Sequence, residues 1–278
     1  MAGYSYVQIL KAMSTLAPLV RPPLPRSVAA RYKGLASDAM NAFHGTFWNQ
    51  RLNAYGGDSG AAQTLNIPGL DLGVAFSHGV AAQVLQHLQH DLENQTNYHL
   101  RVGAVVSKML LRTLSEHGMH TSALRVAQQE DEPSWGYWLS QNASSCWEAW
   151  PGATDGSTSR NHIFLCGGVG EWLWKHAVGL TPTQPGFEAI RIAPELDPDY
   201  GPGTLNATFH SVKGAIHSSW TLEQSGSHAG SVSMSVDIPL GVQTATIVVP
   251  KPFVTSPKPP MPAHQVCGSA SEKEASLT

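Results

Sequence analysis

One glutamate, Glu148, stands in the sequence Cys-Trp-Glu-Ala-Trp and is the strongest candidate for chemistry in this chain. The stretch 133–150 contains no other charged side chain, and burial raises the pKa of a carboxylate unless hydrogen-bond donors compensate. Since a charged group is costly in such surroundings, the pattern is typical of a functional carboxylate such as a general base. A structural role, with Glu148 capping a helix or accepting hydrogen bonds from backbone amides, fits the spacing equally well.

Tryptophans are concentrated around this glutamate. Aromatic faces pack in cores and also stack on the apolar faces of sugars. Core packing explains any single tryptophan, whereas four of the eight in one stretch favour a sugar-binding wall. The four are Trp135, Trp138, Trp147 and Trp150. Downstream of them, His162 is in isolation more typical of a capping or packing residue than of a ligand contact.

Composition disfavours several classes of partner. The 278 residues suffice for one large domain or two ordinary ones, and 42% of them are hydrophobic. A formal net charge of -3 with no basic stripe disfavours nucleic acid, because phosphates are bound by clustered Lys and Arg. No stretch approaches the roughly 20 apolar residues that span a bilayer, so no membrane partner is expected.

The cellular compartment is left open by the sequence. Lys11 and Ser14 interrupt the first apolar run, so the N-terminus lacks the pattern of a signal peptide. Glycosylation sequons permit a secretory location without requiring one. They lie at Asn94, Asn142 and Asn206.

The three cysteines, Cys146, Cys166 and Cys267, show no metal-ligand spacing. We therefore expect neither a metal site nor a cofactor. The odd number argues against a disulfide framework. A bridge between Cys146 and Cys166 is left open but has no support in the sequence.

Up to about residue 180 the chain has the apolar periodicity of helices. Tyr6, Ile9, Leu10 and Met13 predict an initial amphipathic helix. Further helices are predicted over residues 80–92, over 105–114 with an end near Gly118, around Leu124, and over about 163–178 with an end at Gly179. Helices joined by short loops are expected to pack as hairpins.

From about residue 182 to 250 the apolar period changes from 3.6 to 2, which indicates strands. Residues 232–238 and 245–249 flank Pro239-Leu240-Gly241 and predict a hairpin with one buried face. Three more strands are predicted over 190–192, 205–209 and 216–222. About five antiparallel strands after a helical block predict an appended β-sandwich. The tail from Lys251 is rich in Pro, Ser and Lys/Glu and is expected to be disordered.

Several motifs follow one another along the chain. They are Gln63-Thr64, Leu114-Ser115-Glu116-His117-Gly118, Pro133-Ser134-Trp135-Gly136-Tyr137, Trp147-Glu148-Ala149-Trp150, Asn161-His162 and Gly170-Glu171-Trp172. In combination they resemble the α-L-rhamnosidases of the six-hairpin glycosidase type, over roughly residues 35–250. Pro185-Gly186-Phe187 and Ile190-Arg191-Ile192-Ala193-Pro194 resemble the start of that family's C-terminal β-sandwich.

The resemblance implies a mainly α fold with appended β. A partial (α/α)6 toroid is expected over residues 1–181, an antiparallel β-sandwich over 182–252 and a disordered tail over 253–278. The Asp- and Arg-rich motif that carries the family's general acid has no counterpart in residues 1–60. We therefore expect a truncated form that lacks several toroid hairpins and has little or no activity. Apolar helix faces left uncovered in this way are expected to favour association.

The resemblance also implies an activity, the inverting hydrolysis of terminal α-L-rhamnosides, with a carbohydrate as the partner. Inversion needs two carboxyl groups ~6.5–9.5 Å apart, one acid and one base. Glu148 matches the family's general base, and His162 matches a histidine that lines the rhamnose subsite. Trp147 and Trp150 flank the base and, with Trp135, are expected to contact the sugar.

Two other functions remain open. A non-catalytic carbohydrate-binding protein would keep the aromatic subsite without the chemistry, and would bind rhamnose without turning it over. Another six-hairpin sugar enzyme, such as a glucoamylase-like hydrolase, would prefer glucosides to rhamnosides.

Overall fold

The computed structural model describes residues 2–56, 62–151, 156–162, 165–223, 230–248, 265–267 and 275–277. It consists of two compact units, Met1–Gly168 and Val169–Thr278. The described part of the first unit is mainly helical, and the described part of the second is mainly strand. The prediction of a mainly α fold with appended β is therefore confirmed.

The first unit contains a series of helices and one two-stranded ribbon. The helices are α1 (Ala2–Leu16), α2 (Arg26–Phe47), α3 (Ala62–Asp71), α4 (Val74–Ser77), α5 (Ala81–Asn94), α6 (Ala104–Glu116), α7 (His120–Ala127), α8 (Trp135–Ser140) and α9 (Gly167–Trp172), the last of which crosses into the second unit. The strands β1 (Trp48–Asn49) and β2 (Ala54–Tyr55) pair antiparallel. Consecutive helices pack together as predicted, α1 against α2 and α6 against α7.

The helical core confirms the periodicity of α5 and α6. Val84, Leu88 and Leu92 recur every four residues on α5 and are completely buried. On α6 the buried residues include Met109 and Leu110. Both helices pack against α3, so their apolar stripes meet in one core.

The predicted apolar face of α1 is wrong. Of its four predicted residues only Leu10 is buried, whereas Tyr6 is 50% exposed and Ile9 60% exposed. The buried face instead carries Tyr4 and Val7. Apolar residues surround this helix, so the sequence contains more than one candidate stripe. The exposed side chains are consistent with the expected association, which stays a prediction.

The second unit begins in α9, which continues as a π-helical turn over Leu173–Ala177 and ends at Gly179. This glycine has φ +80°, and a Cβ there would lie 2.2 Å from the backbone of Ala193 and Pro194. Gly179 thus ends the helix as predicted. Of the predicted helix over 163–178, Ile163 and Phe164 lie outside the described residues.

Two four-stranded sheets make up most of the described remainder of the second unit. One has the order β10-β8-β4-β3 and the other β5-β6-β7-β9. Their strands are β3 (Leu180–Pro182), β4 (Ala189–Ile192), β5 (Thr204–Ser211), β6 (Gly214–Leu222), β7 (Val232–Asp237), β8 (Thr244–Ile247), β9 (Gln265–Cys267) and β10 (Ala275–Leu277). A shared core includes Ile192 and Ile247 from the first sheet and Trp220 from the second.

The predicted hairpin between residues 232–238 and 245–249 is wrong. The strand β7 pairs with β6 and β9, whereas β8 pairs with β4 and β10 in the other sheet. Period-2 burial is present in both strands, because each presents one face to the common core. The turn therefore carries the chain between sheets. The β4–β8 pair is parallel, the exception among the described antiparallel pairs. Val249 lies outside the described residues.

The tail and the domain bounds stay predictions. Within 253–278 the structure describes only β9 and β10, and the remainder lies outside the described residues. Among the described helices, none combines the length and hydropathy that crossing a membrane requires.

Candidate active site

Two chain segments around Glu148 and His162 lie side by side. The amide of Glu148 donates to the carbonyl of Ser159 at 2.9 Å, and the amide of Ser159 donates back to Glu148 Oε2 at 2.8 Å. The amide of His162 donates to the carbonyl of Cys146 at 2.6 Å. The predicted base and the predicted sugar-binding histidine are therefore held on neighbouring segments of one loop.

A disulfide joins Cys146 to Cys166, with their Cα atoms 6.0 Å apart. The bridge that the sequence left open is therefore present, although it had no support in the sequence. An odd cysteine count excludes only the pairing of every cysteine, and it does not bear on one bridge. The two half-cystines are 20 positions apart and enclose both Glu148 and His162.

The four tryptophans form a packed cluster beside this loop. Trp138 and Trp147 are buried together with Leu165, and the other two indoles pack against them. Trp138 stacks on Trp150 with centroids 4.9 Å apart, and Trp135 meets Trp150 edge-on. Three indole N–H groups donate to backbone carbonyls at 2.7–2.9 Å: Trp135 to Leu165, Trp138 to Trp150 and Trp150 to Val102.

These contacts give the indoles a packing role. Trp147 is only 5% exposed, and the guanidinium of Arg160 lies 4.9 Å from its ring centroid. Trp135 and Trp150 are half-buried, so part of each indole surface is accessible to a ligand. Sugar contact by Trp135, Trp147 and Trp150 stays a prediction, and the half-buried pair offers the larger surface for it.

Local sequence explains how the cluster is positioned. Ser134 caps α8 and accepts a hydrogen bond from the amide of Tyr137 at 2.9 Å. A Cβ at Gly136 would lie 2.3 Å from the carbonyl oxygen of Gln129. Because only glycine permits this approach, α8 sits tightly on the preceding segment, and its first turn presents Trp135 to the cluster.

The carboxylate of Glu148 is not buried as the sequence suggested. The residue is exposed, and a backbone amide supplies a hydrogen bond. Glu148 lies in a bend of the chain, where its side chain is exposed although the preceding Trp147 is buried. The exposed carboxylate can accept a proton from water, and the Ser159 amide fixes its orientation. His162 is half-buried on the adjoining segment.

Among the described residues, each unit has a cleft away from this loop. A cavity of about 620 Å³ in the first unit is lined by polar residues such as Asn49, Gln50 and Arg51. A more apolar cavity of about 260 Å³ in the second unit is lined by Trp174, Phe209 and others. Neither cavity is lined by Glu148. Within the described residues, no group of three or more His, Cys, Asp or Glu side chains could hold a metal ion.

Sequence reasoning missed Ser159 and Arg160. Both belong to the polar run Ser157-Thr158-Ser159-Arg160-Asn161, which has no apolar period and ends at His162. The polar run could have indicated that this segment is a loop near the tryptophans. It does not specify which backbone amide donates to Glu148. The pairing depends on the chain path between the two segments.

Comparison with known families gives two matches that together cover most of the chain. Residues 2–177 match the bacterial α-L-rhamnosidase six-hairpin glycosidase domain. Residues 179–257 match the bacterial α-L-rhamnosidase C-terminal domain. The boundary between the matches falls at the end of the π-helical turn, where the strands begin.

Individual relatives agree with these matches. An α-L-rhamnosidase of Formosa agariphila is 28% identical over 204 residues, which cover 70% of this chain and 21% of that enzyme. The structure of an α-L-rhamnosidase from Dictyoglumus thermophilum superposes with a TM-score of 0.79 at 26% identity, covering 90% of this chain and 27% of that one. A Streptomyces avermitilis α-L-rhamnosidase, complexed with L-rhamnose, has the same fold with a TM-score of 0.69 at 20% identity and covers 90% and 24% of the two chains.

The chain spans about a fifth of the length of the curated relatives it matches. Its architecture agrees with the predicted partial six-hairpin toroid followed by a β-sandwich, and the predicted family resemblance is confirmed.

Proposed function

Because the chain belongs to the bacterial α-L-rhamnosidase family of six-hairpin glycosidases, we propose that it supplies the base side of a site that hydrolyses terminal α-L-rhamnosides. The observation that carries the proposal is the paired loop that holds Glu148 beside the segment of His162. Both residues are matched by the family motifs, and the loop places them on adjoining segments.

In this proposal Glu148 is the general base of an inverting reaction. The Ser159 amide donates to Oε2 and orients the carboxylate. The other carboxylate oxygen accepts a proton from water as that water attacks the anomeric carbon. His162 contacts the sugar, and the accessible indole surfaces of Trp135 and Trp150 adjoin its apolar face.

The chain alone is proposed to have weak activity or none. An inverting enzyme needs a general acid ~6.5–9.5 Å from the base, and the family's Asp- and Arg-rich acid motif has no counterpart in this sequence. Loss of one acid–base group lowers the rate by about 10²–10⁴-fold. A chain extended with the acid-bearing portion of a relative is expected to recover this factor.

The test is an aryl α-L-rhamnoside assay on this chain and on such an extended version. Glu148→Gln in the extended version should lower kcat by about 10²–10⁴-fold while rhamnose binding changes little. Glu93→Gln, an exposed glutamate on α5, is the matched control and should leave both unchanged. Turnover within a few-fold of the parent in the Glu148→Gln variant would contradict the assignment of the base.

A second candidate is a carbohydrate-binding protein without catalysis. The missing acid motif favours it. This function predicts that L-rhamnose binds to the 278-residue chain and that the extended version gains no turnover. Preferential turnover of glucosides would instead point to another six-hairpin enzyme.

A further inference from the structure

We infer that the Cys146–Cys166 disulfide is a positioning clasp for the Glu148–His162 loop, so that its reduction weakens sugar binding and turnover. The inference rests on the proposed function of that loop. The bridge begins two positions before Glu148 and ends four positions after His162. Both site residues therefore lie within the segment that it closes.

Hydrogen bonds alone hold this loop weakly. Glu148, Ser159, Arg160 and Asn161 are exposed. Water competes for hydrogen bonds at such positions, so each adds little to stability. Exposed backbone pairs with few apolar contacts are also the first to open locally. A covalent bridge opposes this opening, because it shortens the distance over which the two segments can separate.

The disulfide is attached to the packed tryptophan cluster. Cys146 and Cys166 are half-buried and pack against the core of Trp138, Trp147 and Leu165. One segment is therefore anchored at Trp147, the residue next to Glu148. The guanidinium of Arg160 lies over the ring of Trp147. The bridge ties the return of the loop to the same anchor. The segments of Glu148 and His162 are thereby held side by side.

The chemistry of release is thiol–disulfide exchange. A dithiol reductant attacks one sulfur as a thiolate, breaks the S–S bond and leaves a mixed disulfide. Its second thiolate then displaces the other cysteine. Cys146 and Cys166 become thiols, each gaining one electron and one proton, while the dithiol becomes a cyclic disulfide. Half-buried sulfurs leave room for this attack.

The first experiment measures the loop independently of sugar. In the 278-residue chain, hydrogen exchange is compared before and after treatment with a dithiol. Thiol titration of the denatured protein verifies the states, since two of the three cysteines are bridged and one thiol becomes three. The amides of Ser159 and His162 should exchange at least about tenfold faster after reduction, with those of α6 unchanged. Unchanged loop exchange overturns the clasp.

The second experiment measures the affinity of the chain for L-rhamnose. L-rhamnose binding by calorimetry should weaken about tenfold after reduction and recover on reoxidation, which a chain that unfolds irreversibly would not show. The paired change Cys146→Ser with Cys166→Ser should reproduce the loss without reductant and abolish the response to it, whereas Cys267→Ser is the control. In the extended version, kcat should fall more than KM rises, because the base is misplaced.

The outcomes separate the two proposals. Faster loop exchange with unchanged binding overturns the positioning role and leaves the bridge purely structural. Absence of rhamnose binding by both the oxidised chain and its extended version overturns the proposed function, and the exchange comparison then decides the clasp by itself.

Discussion

Asp71 and Glu148 are carboxylates in contrasting surroundings. The side chain of Asp71 is only 4% exposed and forms an ion pair with Arg112 of α6. Tyr4 of α1 donates to it at 2.6 Å, and Gln8 donates at 3.2 Å. Burial, followed by hydrogen bonding to Asp71, raises the pKa of Tyr4 to about 12. Glu148, in contrast, is exposed and accepts from a backbone amide.

The difference separates a carboxylate that connects helices from one that is accessible to a ligand. Asp71 connects three helices, and donors on both oxygens leave little capacity for another ligand. A carboxylate surrounded by donors in this way stabilises the fold. Glu148 is oriented at Oε2 and accessible, which suits a base. A ranking by burial alone would have selected Asp71 instead of Glu148.

The largest expected effect is that of Asp71→Asn on stability. The change removes the negative charge facing Arg112, and loss of one partner of a largely buried pair should lower the free energy of unfolding by about 3 kcal/mol. Urea unfolding measures this, with Asp38→Asn, an exposed aspartate on α2, as the control. Equal stability of the two variants would show that the cluster does not hold the helices together.

A smaller effect is expected from pH. Burial lowers the pKa of both His44 and His117 below the ordinary 6.5. At mildly acidic pH the unfolded chain therefore binds more protons than the folded chain. The contribution of these histidines to the free energy of unfolding is fully present above about pH 6.5 and is lost as the pH falls through their folded pKa values. Urea midpoints at about pH 8 and about pH 5 should differ less after His44→Gln or His117→Gln. An equal reduction by His210→Gln, an exposed position, would contradict this origin.

The pKa of His117 also depends on Asp71, one of the two carboxylates compared above. Its pKa is lowered chiefly by burial, and the negative charges of Glu116 and Asp71 oppose that shift. Asp71→Asn should therefore lower the pKa of His117 further and extend the loss of stability to more acidic pH. Titration of the His117 ring by NMR in both proteins measures this shift, and an unchanged pKa would exclude the coupling.

The smallest effect is expected from Glu148→Gln on stability. An exposed side chain with one hydrogen bond should change the free energy of unfolding by less than about 0.5 kcal/mol. Urea unfolding beside Asp71→Asn gives the direct contrast. A loss comparable to that of Asp71→Asn would mean that Glu148 is a structural acid, and would weaken its assignment as the base.

The sequence was informative where local pattern decides structure. Val84, Leu88 and Leu92 lie on one helical face, and burial of that face follows from their spacing. The face of α1 could not be chosen from spacing, because α1 offers overlapping apolar stripes and its neighbours select between them. Strands β7 and β8 have the expected period, but their partners come from distant segments, so their placement in different sheets is not a local property.

The candidate site shows the same division. Glu148 and His162 could be named from motifs, since those motifs are contiguous in the chain. The contacts that hold the two residues could not be predicted. The hydrogen bond from the Ser159 amide and the Cys146–Cys166 bridge both depend on the path of the chain between residues 148 and 162. The exposure of Glu148 also escaped prediction, since two flanking tryptophans indicate burial of the segment but not the direction of its middle side chain.

The parallel pairing of β4 with β8 bears on synthesis of the protein. As the nascent chain leaves the ribosome, β4 can pair at once with β3. The other edge of β4 stays unpaired until β8 (Thr244–Ile247) has emerged. Meanwhile β5, β6 and β7 can assemble with one another. A bare edge beside apolar side chains is prone to recruit other polypeptides. Expression products that stop ahead of Thr244 should therefore accumulate as inclusion bodies, whereas those that include it have that edge covered.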